Sequence, residues 1–206
     1  MMSLPADADE LPLFPLRMVL FPDGLLELKI FEARYLDLMS RCMREKTSFG
    51  VVCLKAGREV KGAEGVDLCE VGTTADLVEV DSASVGILLV RCRGGHRFTV
   101  GATRQQPDGL WIAEVTAIDA DPVVAPSAAH ADVVKSLTEA IAALAAQGAT
   151  PFFEPHRFDD AGWVADRWCE ILPLPVEARQ RLLTLADPLA RLEVVDSLMR
   201  VRSDPH

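Results

Sequence analysis

The chain has 206 residues, of which half are hydrophobic and a quarter are charged, and its formal net charge is -10. This balance predicts one or two globular folding units and excludes charge-driven disorder. Because an acidic chain repels phosphate groups, the net charge disfavours binding to nucleic acid or to anionic lipid. Only a local basic patch would override that average.

Three further features bear on where the protein resides. No apolar run approaches the roughly 20 residues that cross a membrane, and the first residues lack the basic and apolar regions of a secretory signal. The five cysteines are widely spaced and never form a C-x-x-C pair, which argues against a disulfide framework or a zinc knuckle. They are Cys42, Cys53, Cys69, Cys92 and Cys169. We therefore expect a cytoplasmic protein without a membrane segment, whose thiols are reduced and mostly buried.

The composition changes near residue 120. Short apolar stretches broken by Gly, Pro and Asp precede this point, and an Ala/Leu/Arg-rich region with helical periodicity follows it. We predict a β-rich subdomain over residues 1–120 and an α-helical subdomain over residues 121–206, packed on the first.

In the first region, two strands at residues 16–21 and 25–30 flank a Pro22-Asp23-Gly24 turn, in which Gly24 is expected to accept the positive φ. A helix follows, with Phe31, Tyr35 and Met39 on its buried face. Further strands are predicted at residues 48–54, 72–80, 85–92, 97–104 and 111–118. Seven strands around one helix favour a closed or partly closed small β-barrel.

The second region carries four predicted helices. The first ends near Gly148, and the second is capped by Asp159 or Asp160. The third begins near Pro175, and Asp187 and the proline that follows it mark the start of the fourth.

The segment LPLFPLRMVLFP at residues 11–22, followed by IFEARY at residues 30–35, resembles the opening signature of the Lon protease N-terminal domain. The later segments FGVV at 49–52, VGT at 71–73 and Arg97-Phe98 are similar to further landmarks of that family. The resemblance covers nearly the whole chain and is most specific before residue 40.

The resemblance implies an α+β fold, in which a PUA-like small β-barrel with one packed helix precedes a C-terminal helical bundle. It also implies a non-catalytic role in binding unfolded or exposed polypeptide segments, with a separate protease or chaperone as a further class of partner. The sequence has no G-x-x-x-x-G-K-[ST] motif. We therefore expect a stand-alone form that lacks the ATPase and peptidase domains and needs no cofactor.

Large aromatic side chains are the candidates for contact with a peptide, although each is also of a type common in cores. They are Phe14, Phe21, Trp111, Phe152 and Phe153. The last two lie beside a proline outside any clear helix, and the sequence leaves open whether they are exposed or fill the space between the subdomains.

Seven residues of the family motifs are expected to be structural: Pro15, Pro22, Glu32, Arg34, Tyr35, Arg97 and Phe98. The prolines are expected to fix the geometry of edge strands. Glu32, Arg34 and Tyr35 are expected to form a polar clasp between strand and helix. Because Glu32 and Arg34 are two positions apart, we expect them to bind separate partners.

Two other functions remain open. Arg91, Arg93 and Arg97 concentrate positive charge near a glycine pair, and a barrel of this kind with an exposed basic turn is able to bind RNA. Ser127 lies near His130, which allows hydrolase chemistry, although no G-x-S-x-G motif is present. The histidines at positions 96, 130, 156 and 206 are far apart, so no metal site is predicted.

Overall fold

The computed structural model describes residues 10–55 and 67–203. His206 lies outside these ranges. The chain divides into two compact units, Met1–Asp119 and Ala120–His206. Within the described residues, no helix combines the length and the apolar character that a membrane crossing requires.

The first unit is a sheet that closes on itself. Its elements are β1 (Glu10–Leu16), β2 (Leu25–Ile30), α1 (Ala33–Glu45), β3 (Phe49–Leu54), β4 (Leu68–Ser84), β5 (Ile87–Gln105) and β6 (Trp111–Ala117). The strand order is β2-β5-β4-β3-β1-β6, and β6 also pairs with β5. The strands β5, β4, β3, β1 and β6 therefore form a hydrogen-bonded ring, which is consistent with the expected small barrel.

Three predicted strands differ from those of the structure. The strand predicted at residues 16–21 is wrong, because the first strand is Glu10–Leu16 and pairs in parallel with β3 and antiparallel with β6. The strands predicted at residues 85–92 and 97–104 are one long strand, β5, whose pairing with β4 shifts register between Thr73 and Ala75. Gly94 lies inside this strand. The position requires glycine because a Cβ there would stand 2.0 Å from the carbonyl oxygen of Phe21.

The turn before β2 also differs from the prediction in one respect. The Gly24 N–H donates to the carbonyl oxygen of Phe21 at 3.0 Å, but the positive φ of 60° belongs to Asp23. Asp tolerates this conformation better than most residues. The Asp23 carboxylate accepts a hydrogen bond from Arg93 Nε at 2.9 Å, which ties the turn to β5.

Helix α1 covers the apolar core of this unit. Tyr35, Leu38, Met39 and Cys42 are its buried residues, and they pack in one cluster with side chains of β2 and β5 such as Val90. The prediction for Phe31 is wrong, because α1 begins only at Ala33 and Phe31 is exposed.

A second cluster explains several of the family landmarks. Phe98 is fully buried among Leu11, Leu13, Val52 and Ala113. A Cβ at Gly50 would lie 2.8 Å from its ring, and a Cβ at Gly72 would lie 2.6 Å from it. The two glycines therefore make the room that the Phe98 ring fills, which is a structural role for this part of the motif.

The second unit contains the four predicted helices: α2 (Ala131–Ala146), α3 (Ala161–Ile171), α4 (Val176–Thr184) and α5 (Pro188–Ser203). Asp160 is the cap of α3, since its carboxylate accepts from the N–H groups of Gly162 and Trp163 at 3.0 and 3.3 Å. Gly148 follows α2 with a φ of 78°, as the prediction requires.

A buried charge cluster links the helices of this unit. Arg191 on α5 is 1% exposed, and its Nη1 atom lies 2.8 Å from Asp121 Oδ2 and 3.0 Å from Asp166 Oδ1. Its Nε atom donates to the carbonyl oxygen of Leu182 at 3.0 Å. Because the guanidinium is paired and hydrogen-bonded, its burial is tolerated.

Candidate functional site

A groove of about 240 Å³ lies beside β2 in the first unit, and we call it the Phe31 groove. One wall is the second half of β2 and the start of the IFEARY segment, and the other is the end of β1. It is lined by Phe14, Pro15, Leu16, Arg17, Leu28, Lys29, Ile30, Phe31, Glu32, Tyr35 and Leu54. The two most specific parts of the family signature therefore meet in one concave surface.

Phe31 is the exposed large hydrophobic side chain of this groove. It is 66% exposed, whereas its neighbour Ile30 is 2% exposed. An exposed aromatic ring beside an apolar concave surface is typical of sites that bind other molecules. Helical periodicity missed Phe31, because its spacing to Tyr35 also fits a buried face. The sequence signal that could have placed Phe31 outside the helix is Glu32, which follows it and is the N-cap of α1.

The clasp at the start of α1 holds this part of the groove in place. Arg34 Nη2 lies 2.7 Å from Glu32 Oε2, so the expectation that these two residues bind separate partners is wrong. Arg34 Nη1 also donates to the carbonyl oxygen of Gly109 at 2.9 Å, and the guanidinium carbon lies 4.8 Å from the centre of the Tyr35 ring. Arg34 thus connects α1 to the β5–β6 turn.

Phe14 and Tyr35 form the floor of the groove. Their rings are stacked with centroids 3.9 Å apart, and they are 9% and 5% exposed. Phe14 is therefore the one aromatic candidate from the sequence that lines the Phe31 groove. Its small exposed fraction means that a bound group would touch one edge of the ring.

The other aromatic candidates lie elsewhere. Phe21 is fully buried, so its ring has no exposed surface in this conformation. Trp111 is partly buried against the cluster around Phe98. In the second unit, Phe152 is 8% exposed and packs against Trp163 with ring centroids 6.3 Å apart, and Phe153 is partly buried. A peptide contact by these four residues stays a prediction.

A second groove of about 280 Å³ has seven polar or charged residues among the ten that line it. Its lining includes the ion pair of Glu10 and Arg104, whose closest atoms are 2.6 Å apart. The hydrogen bond from Arg104 lowers the pKa of the Glu10 carboxyl group. Since neither the aromatic candidates nor the IFEARY segment line this groove, it gives less support to peptide binding.

The buried thiols of this unit are poor nucleophiles. Burial raises the pKa of Cys92 to about 12 and also raises the pKa values of Cys42 and Cys69. A thiol that stays protonated at neutral pH does not attack electrophiles readily. All five cysteines fall in the described ranges, and each is buried and reduced.

The arginines proposed for RNA binding are engaged with the protein. Arg91 lies 3.2 Å from carboxylate oxygens of both Glu27 and Glu79, Arg93 pairs with Asp23, and Arg97 is 5% exposed. Carboxylates that neutralise these guanidinium groups compete with phosphate, so this surface lacks the free positive charge that RNA requires.

Ser127 and His130 do form a contact, and Glu193 extends it. Ser127 Oγ lies 3.0 Å from His130 Nδ1, and His130 Nε2 lies 2.9 Å from Glu193 Oε2. However, the backbone N–H of His130 also donates to the backbone carbonyl oxygen of Ser127 at 2.9 Å. The serine and the histidine are therefore close because they belong to one helical turn. Neither of the two grooves is lined by these side chains.

Across the described ranges, no three His, Cys, Asp or Glu side chains cluster in a way that would hold a metal ion.

The closed sheet with one packed helix, together with a four-helix unit, defines the class of the chain as a barrel-and-helix α+β protein. Residues 10–201 match the family described as the ATP-dependent protease La (LON) substrate-binding domain. The chain therefore belongs to the LON substrate-binding domain family. None of the curated proteins compared with it matches the chain.

Two solved structures are similar to the chain. A Lon N-terminal domain protein from Xanthomonas campestris is 32% identical, with a TM-score of 0.74, and the match covers 91% of this chain and 97% of that one. The N-terminal domain of Mycobacterium avium complex Lon protease is 16% identical, with a TM-score of 0.61, and the match covers 90% of this chain and 95% of that one. The second likeness concerns the fold alone.

Proposed function

We propose that the chain binds exposed apolar segments of unfolded polypeptides in the Phe31 groove and does not cleave them. The observation that carries this proposal is the 66% exposure of Phe31 at a groove in which eight of the eleven lining side chains are aliphatic or aromatic. A groove of about 240 Å³ holds one or two side chains rather than a drug-sized molecule, which suits a polypeptide better than a small metabolite.

The family description and the rigidity of the site support the same proposal. The matched family is named for substrate binding. The Phe14–Tyr35 stack and the bonds of Arg34 fix the groove floor before any client arrives. A preformed floor lowers the ordering cost of binding. The proposal includes a cytoplasmic location, where buried reduced thiols are the rule, and a separate protease or chaperone that receives the client.

The test uses fluorescently labelled, reduced and carboxymethylated lactalbumin as the unfolded probe, and native lactalbumin as its folded control. We expect the anisotropy of the unfolded probe to rise on addition of the protein without ATP, and the probe to remain full-length on a gel. Equal responses to folded and unfolded probes, or no response to either, would contradict the proposal. Cleavage of the probe would contradict its non-catalytic part.

A pair of charge substitutions locates the binding surface. Phe31→Glu places a carboxylate in the groove and should abolish binding of the unfolded probe. Val85→Glu is the matched control, because Val85 is also exposed and apolar but lines neither groove. Loss of binding in both variants would show that the effect is one of added charge.

A further inference from the structure

Strand β2 presents an open edge beside the Phe31 groove. It is the terminal strand in the sheet order, and within residues 10–55 and 67–203 it pairs with β5 alone. The pairing runs without a register shift from Leu25 opposite Arg93 to Ile30 opposite Leu88. A terminal strand carries backbone N–H and C=O groups that no neighbouring strand satisfies.

The register of β2 against β5 shows which backbone groups of β2 point to the open edge. The Gly94 N–H donates to the Gly24 carbonyl oxygen at 2.9 Å, so the backbone carbonyl of Gly24 points toward β5. In an antiparallel ladder this direction alternates along the strand. Leu26 and Leu28 therefore bond to β5, whereas the N–H and C=O groups of Glu27 and Lys29 point to the open edge. The side chains of Glu27 and Lys29 lie on the exposed face of the same strand.

The groove lies where an added strand would run. Leu28, Lys29 and Ile30 line one wall of the groove, and the end of β1 lines the other. An extended segment paired with β2 would direct every second side chain toward the groove, where Phe14 and Leu16 are apolar, and the remaining side chains toward solvent. We propose that β2 binds a client segment as an added β-strand. This inference rests on the proposed function and specifies how the client is held.

The charged side chains along the open edge of β2 restrict which client segments can pair with it. Glu27 is paired with Arg91 at 3.2 Å and Glu32 with Arg34 at 2.7 Å, but Lys29 has no ion pair with another residue of the described part of the chain. A lysine on an edge strand discourages aggregation through apolar edges, and a second cation directly opposite it is destabilising. An acidic residue directly opposite it is stabilising. The segment bound here therefore alternates apolar residues with acidic ones.

Two synthetic peptides of about eight residues, a common strand length, test this inference. One alternates valine with glutamate and the other alternates valine with lysine. With the full chain, we expect the glutamate peptide to slow the exchange of the Glu27 and Lys29 amide hydrogens by about tenfold or more. The Leu28 amide, which already bonds to β5, should change little. Exchange is read residue by residue by NMR.

A substitution at the edge provides the matched control. Lys29→Glu should weaken binding of the glutamate peptide by about fivefold and favour the lysine peptide. Lys135→Glu changes an exposed lysine of helix α2 that lines neither groove, and it should leave both affinities unchanged. Equal effects of the two variants would overturn the role of Lys29.

The outcomes separate this inference from the function on which it rests. If the unfolded probe binds and depends on Phe31, but the Glu27 and Lys29 amides keep their exchange rates, strand addition is wrong and the proposed function stands. If neither probe nor peptide binds, both are overturned. If the same amides are protected in the protein alone as its concentration rises, the edge pairs with a second copy and the inference is overturned.

Discussion

Replacing Phe31 by alanine should weaken client binding with little effect on folding. Phe31 is 66% exposed in the unbound chain, so its ring contributes little to the stability of the fold. Exposed positions of this kind change the free energy of unfolding by about 0.5 kcal/mol or less. A change in binding without a change in stability would identify Phe31 as a contact residue.

The size of the effect follows from the exposed area. A phenylalanine side chain buries about 200 Å² when fully covered, so a client that covers the exposed two-thirds of Phe31 removes about 130 Å² from water. At about 25 cal/mol per Å² this is worth about 3 kcal/mol. Alanine keeps part of the buried area, and association costs offset some of the gain. We therefore expect Phe31→Ala to weaken the binding free energy by about 1.5–2.5 kcal/mol, which raises the Kd about 10- to 70-fold.

The assay is a titration of the labelled unfolded lactalbumin, followed by anisotropy, with thermal unfolding measured on the same samples. Val85→Ala is the control, because Val85 is 104% exposed and apolar but lines neither groove. The reasoning would be refuted if Phe31→Ala left the Kd within about twofold of the unsubstituted chain, or if Val85→Ala weakened binding equally.

Three substitutions and one control test the account of the fold, each by urea unfolding. Arg191→Met removes the guanidinium that pairs with the buried carboxylate of Asp166 and the partly buried carboxylate of Asp121, and it should cost about 3–5 kcal/mol. The control Lys135→Met removes an exposed ion pair on α2 and should cost far less. Asp160→Ala removes the cap of α3 and should cost about 1 kcal/mol. Gly94→Ala places a Cβ 2.0 Å from the Phe21 carbonyl oxygen and should cost more than about 2 kcal/mol.

Each of these expectations has a result that contradicts it. Equal losses for Arg191→Met and Lys135→Met would show that the buried cluster is no more important than a surface pair. An unchanged midpoint for Asp160→Ala would mean that the first turn of α3 does not need its side-chain cap. Full stability of Gly94→Ala would mean that β5 and the Phe21 turn do not approach as closely as the structure has them.

Local signals predicted the helical unit well. The sequence predicts Gly148 and Pro188 directly and restricts the α3 cap to Asp159 or Asp160, since a residue with positive φ, a first-turn proline and a carboxylate cap each act within one helical turn. The buried pairing of Arg191 with Asp121 was not predictable in this way, because the partners are 70 residues apart and their meeting depends on how the helices pack.

The barrel shows where sequence periodicity is insufficient. Residues 16–21 have an apolar pattern that suits a strand, but the backbone hydrogen bonds of the ring belong to Glu10–Leu16, which lies between β3 and β6. Likewise, Gly94 and Gly95 suggest a turn, although a close backbone contact with Phe21 is what requires glycine at position 94. Both outcomes depend on pairing partners that are distant in the sequence.

The candidate site was predicted in part. The signature segments were recognised as important, and the structure brings both to one groove, but Phe31 was assigned to the buried face of a helix that starts two residues later. Three-residue and four-residue spacings do not show whether a residue just before a helix belongs to its first turn. Phe31 lies between the end of β2 and the start of α1, so it does not share the buried face of the helix.

The most direct test of client binding in the Phe31 groove is photo-cross-linking to unfolded lactalbumin. A benzophenone side chain at position 31 should form a cross-linked product with the unfolded probe, and mass spectrometry should map the product to apolar segments of the client. The same group at position 85 should form little product, since Val85 lines neither groove. Equal products from both positions, or none from position 31 while the client binds, would contradict the account.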